Sequence, residues 1–116
     1  MAAVAVVAGL LAAGNEAIIR VARAGHARFQ AGRADWFAAQ ARAYRGGLPG
    51  VADECRRLAA WHRSRAEQYR RSRRYDHEAE MREDAAQTLL EAPVDRAITG
   101  DFHARRRAAR GQPPWL

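Results

Sequence analysis

The chain has 116 residues, 48% of them apolar, and a formal net charge of +7 at pH 7. That length leaves room for one small domain, or for a helical subunit completed by partners, and excludes the core of a large multi-domain enzyme. Its charge suits a nucleic-acid or acidic-membrane partner, or an internal pairing of acidic and basic segments.

The apolar fraction overstates the core. Alanine supplies 28 residues, while Val, Ile and Leu together supply 16. Alanine favours helix but buries little surface, so the expected core is thin and a neighbour would add much to it. Every basic residue is arginine, a planar five-donor fork suited to carboxylates and phosphates. Charge falls in blocks: +4 over residues 1–50, +5 over 51–75, −6 over 76–95 and +4 over 96–116. The single cysteine, Cys55, forms no internal disulfide and belongs to no CxxC pair, which is compatible with a reducing intracellular compartment or particle.

Residues 2–13 are apolar and uncharged, but Asn15, Glu16 and Arg20 follow before the roughly 20 residues that a membrane span requires. A buried or partner-facing helix is the expectation, with a membrane-associated subunit anchored by this segment as an alternative. Val4, Val7, Ala8, Leu11, Asn15, Ile18, Ala22, Gly25 and Phe29 recur at helical steps and define one face of a long helix ending near Gly32. A second helix follows over 34–45, with Trp36, Phe37, Ala41 and Tyr44 as its inward-capable positions. Residues 46–50, Gly-Gly-Leu-Pro-Gly, make a turn.

Residues 51–92 contain no Gly or Pro, yet the apolar phase shifts within them. Val51, Cys55, Leu58, His62, Ala66 and Tyr69 share one face; Tyr75, Ala79, Ala86, Leu89 and Leu90 share another, more than a quarter turn away at about 100° per residue. Arg70, Arg71, Arg73 and Arg74 suit a helix C-terminus, and Asp76, Glu78 and Glu80 suit the start of the next. The spacing therefore predicts helices over 51–74 and 76–91 packed as an antiparallel hairpin, with Asp76 as N-cap. Pro93 closes the second, a short basic helix follows over 94–110, and residues 112–116 form an extended tail. The fold class is all-α, a small bundle or helical-hairpin array of four to five helices, with residues 1–111 as one domain.

The run Ala34-Asp-Trp-Phe-Ala-Ala-Gln-Ala-Arg-Ala-Tyr44, with Gly47, Ala52 and Ala59, resembles a tetratricopeptide helical hairpin over residues 34–60. The resemblance implies two closely packed antiparallel helices with an aromatic in the groove between them. The turn is one residue shorter than in that family, and no second full repeat is evident.

No nucleophile elbow, phosphate-binding Gly loop or HExxH motif is present, so no catalytic residue and no cofactor is expected. His77, Glu80 and Asp84 share a helix side, but a metal shell needs more convergent ligands and none is assigned. His62, on the apolar stripe beside Cys55 and Leu58, reads as an interior or interface histidine. The most specific feature is Arg56, Arg63, Arg70 and Arg74, one line of about 27 Å if the helix reaches residue 74. That line could follow nucleic-acid phosphates, with Trp61, Tyr69 and Tyr75 available to stack on bases; it could equally pair with the acidic helix that follows. Val4, Val7 and Leu11, with Trp115 and Leu116 at the other end, are the candidate contacts to a protein partner or a second copy. The function expected is a non-catalytic structural or adaptor subunit, with an RNA- or DNA-binding protein as the main alternative.

Overall fold

The computed structural model describes residues 2–71, 74–113 and 115; the side chains at 2, 3, 7, 8 and 10–13 lie outside that description. It is all-helical, with no strand among the described residues. Among those residues three helices, α1 (Ala2–Ala43), α2 (Val51–Arg71) and α3 (His77–Ala109), form a bundle measuring 76 × 26 × 20 Å. Long-range contacts give the topology. Residues 30 and 37 of α1 meet His62 of α2, and residue 26 meets Tyr69, so α1 and α2 run antiparallel. Contacts from 26 to 84, 33 to 91 and 44 to 101 place α3 parallel to α1.

α1 is longer than its sequence suggests. It passes through Gly32 without ending and absorbs the expected second helix. Gly32 is exposed, and a mid-helix glycine costs only about 1 kcal/mol, too little to break a helix anchored on both sides by packing. The continuous helix across Gly14-Asn15 agrees with the unbroken apolar phase there. Gly46 at φ 79° stops the helix, in the left-handed conformation that glycine adopts freely.

The buried row of α1 is Ala27, Gln30, Ala34, Phe37, Ala41 and Tyr44, at alternating steps of three and four. Opposite it α2 buries Val51, Cys55, Leu58, His62, Ala66 and Tyr69, the six positions its periodicity predicts. Small residues at Ala34, Ala41, Ala59 and Ala66 let the two helix axes approach closely. Residues 34–60 thus form an antiparallel pair around Phe37, which is fully buried.

α2 ends at Arg71, and α3 begins after Asp76, whose side chain accepts from the Ala79 amide at 3.1 Å. The bend therefore lies where the charge reversal places it. Arg74, expected on the α2 helix, sits instead in the connector. α3 departs from expectation in two ways. It buries Gln87, Glu91, Val94 and Ile98, while Leu89 and Leu90 are 77% and 68% exposed. It also runs through Pro93 to Ala109, merging the expected last two helices. Pro93 is exposed, and so is Leu89, whose carbonyl loses its helical donor; on an exposed helix face solvent can serve such an oxygen, which lowers the cost of the break. Gly111 at φ 70° closes α3, its amide donating to Ala108 while that of Gln112 donates to Arg107.

Candidate functional site

Between α1 and α3 opens a cleft of about 550 Å³ whose floor is polar. That floor is a continuous hydrogen-bonded chain. Asp84 accepts from His26 Nε2 through one oxygen and from the Gln30 amide at 2.8 Å through the other. Because that amide nitrogen donates to Asp84, the Gln30 carbonyl oxygen is the one facing His62 Nδ1. The other ring nitrogen of His62 faces Glu91. His62 is thus held from both sides, by the Gln30 carbonyl and by the Glu91 carboxyl group. Glu91 also accepts from Arg33 at 2.9 Å and from Gln87 at 3.2 Å.

At the other end the Tyr75 hydroxyl lies 3.0 Å from His26 Nδ1 and 3.0 Å from His77 Nδ1. His26 donates through Nε2, so its Nδ1 is free to accept from Tyr75, and the Tyr75 oxygen can accept from His77. Burial raises the pKa of Tyr75, with Glu80 and Asp84 adding to it, which keeps the hydroxyl a donor. Tyr69 stacks on His26 and donates to Glu80; burial first, then that hydrogen bond, holds its pKa far above the usual tyrosine range.

Carboxylate–imidazole pairs are the raw material of acid–base catalysis. Here each such group is already satisfied by another helix, and the cleft walls are Phe29, Met81 and Thr88, whose hydroxyl donates to the Asp84 carbonyl. The hydrogen-bonded chain links all three helices, joining α1 to α3 through Asp84 and α2 to both through His62. Sequence periodicity finds His62 but misses its partners. Gln30, Gln87 and Glu91 carry no signal in the sequence and Asp84 reads only as part of an incomplete set with His77 and Glu80; their placement opposite buried histidines is what distinguishes them. No group of three or more His, Cys, Asp or Glu side chains suited to a metal occurs among the described residues.

The arginine line is dispersed in part. Arg56, Arg63 and Arg70 are exposed along α2, but Arg74 is off the helix. Arg56 pairs with Asp53 and Arg70 with Glu67, both within α2. The pairing with the acidic helix runs through a different residue, Arg65, which contacts Glu80 and Glu83 and lies over the Trp61 and Tyr69 rings. Tyr69 is only 4% exposed, so it is not a base-stacking platform, and Tyr75 is engaged with His26.

The apolar row of α1 is the other notable surface. Val4, Ile18 and Phe29 are 72%, 69% and 56% exposed. On a helical wheel the row lies about 100° from the buried row, so it is not the core face. Towards the start of α1, a surface groove is lined by Ile18, Ile19 and Ala22 together with residues 75–78 of the connector and the first turn of α3. No described helix is long and apolar enough to cross a membrane. At the opposite terminus Trp115 is 83% exposed, while Leu116 and the side chains of Val7 and Leu11 lie outside the described residues.

No family model matches the chain, and neither the curated proteins nor the solved structures contain a match to it.

Proposed function

We propose that this chain is a non-catalytic helical subunit that works by docking onto protein. The observation that carries this reading is the exposure of Val4, Ile18 and Phe29 along the apolar row of α1, outside the core. Scattered surface leucines are ordinary, but a contiguous apolar face marks an interaction site. The hydrogen-bonded floor of the cleft supports the same reading, because its titratable groups hold helices together.

A dye that fluoresces on apolar surfaces tests it. The dilute chain should bind the dye, and the Ile18→Glu/Phe29→Glu variant should bind much less at unchanged helicity. Equal binding by both would contradict the reading.

A second reading rests on the exposed Arg56, Arg63 and Arg70, which span about 21 Å of α2. As a phosphate-binding line they would act without sequence preference. Replacing Arg63 and Arg70 with alanine would then lower the salt slope of nucleic-acid binding by about 0.7–0.9 for each phosphate no longer neutralised. The acidic neighbours Asp53 and Glu67 weaken such a line, which is why it stands second.

A further inference from the structure

Resting on the docking reading above, the row of α1 carries information about its own partner. We propose that it docks on the same row of a second copy, antiparallel, about a two-fold axis at Ile18. Each residue then faces the one whose number complements it to 36. Val4 faces Gly32, position 11 faces Gly25, Gly14 faces Ala22, and position 7 faces Phe29. Two of the bulky positions, 4 and 11, thus meet glycine across the seam, and Ile18 meets itself.

Several independent features fit a second copy. The row bears no charge from Val4 to Phe29, so two chains of net charge +7 can meet there without opposing arginines. Glu16 and Arg20 lie on the far side of the helix, about 160° from the row. A Cβ built at Gly14, Gly25 or Gly32 meets nothing within 4 Å, so no contact inside the chain calls for glycine at these helical positions. Each costs helix stability, about 1 kcal/mol relative to alanine, which a close approach from outside would offset.

Length agrees too. The arm over residues 2–17 is about 24 Å long at 1.5 Å per residue. In this register it covers residues 19–34 of the second copy, the stretch where Phe29 and Met81 flank the open cleft. The arm would lie over that cleft. Surface grooves on both sides of Ile18 leave room for the partner's side chains at the axis. Burying half of each arm, about 10 Å across, and an equal area beneath it removes about 1,500 Å² from water. Stable interfaces bury roughly 1,200–2,000 Å².

Cross-linking the full chain tests the register. Ile18→Cys should oxidise to an interchain disulfide under mild conditions, while Val4→Cys alone should not. Val4→Cys mixed with Gly32→Cys should link one to the other. The native Cys55 is buried and serves as a silent control. Gly25→Leu separates docking from folding: the lone helix should hold or gain stability, while association weakens about tenfold or more through overpacking at the seam. Efficient self-linking of Val4→Cys would overturn the antiparallel register. Sedimentation of the wild-type chain as a single copy at all concentrations would overturn the dimer, as would capture of the arm by neutral lipid vesicles with loss of the Ile18→Cys link. None of these outcomes bears on dye binding by the row, so failure here is distinguishable from failure of the docking reading.

Discussion

His62 and Glu91 meet between α2 and α3 with side chains 4% and 3% exposed. Desolvating two such groups costs several kcal/mol, and their attraction recovers it only where further hydrogen bonds complete the site, as Gln30, Gln87 and Arg33 do here. Removing one partner takes away part of that compensation and opens a cavity: His62 keeps only Gln30, while Glu91 keeps Arg33 and Gln87. His62→Ala or Glu91→Ala should therefore cost about 2–5 kcal/mol in urea denaturation. Replacing both with leucine should cost much less than the sum of the single changes, with broadened amide spectra because register is no longer specified.

Arg65 should be the arginine of α2 that matters most for stability. Its side chain is 13% exposed against Glu80 at 21%, whereas Arg56 is 56% exposed beside an Asp53 that is 80% exposed. Arg65→Ala should lower stability by about 1–3 kcal/mol, and Arg56→Ala by about 0–1 kcal/mol. Thermal melts of the two variants check the order.

Alkaline pH should loosen the bundle through its tyrosines. Burial, then the hydrogen bond to Glu80, raises Tyr69 above its usual value of 10.0; burial first, and Asp101 next, raises Tyr44. A raised folded-state pKa means the native state holds the proton more tightly than the unfolded one. The stabilisation is thus complete below about pH 10 and is lost as pH rises beyond it. Tyr69→Phe should show a shallower fall in melting temperature over that range than the parent chain.

Cys55 is fully buried and burial is the first cause raising its thiol pKa, so little thiolate forms and none is accessible. A thiol reagent should modify the native protein only as fast as it opens, and completely once it is unfolded in urea.

Much of this architecture is legible in the sequence. All six apolar-phase positions from Val51 to Tyr69 are buried, and the reversal between Arg71 and Asp76 lies where the charge changes sign to suit the end of one helix and the start of the next. Periodicity misleads where the buried face is polar. In α3 the leucines at 89 and 90 look like the core, but the face opposite His26, Gln30 and His62 must supply partners, so Asp84, Gln87 and Glu91 turn inward. In α1 Phe37, Ala41 and Tyr44 are legible as inward positions, but not that the same buried row continues back through Ala34, Gln30 and Ala27 in place of the apolar row. Pro93 and Gly32 look like stops because sequence does not reveal which carbonyls face water or how firmly each side of a helix is held.

Pairing of the α1 row with the same row of a second copy can be read from thermal melting of the full chain across about a hundredfold range of concentration. If folded chains associate and unfolded ones do not, mass action ties stability to concentration. The melting temperature should climb with protein concentration in the wild type and stay level in Gly25→Leu. A wild-type melting temperature that is the same throughout the range would contradict the self-pairing.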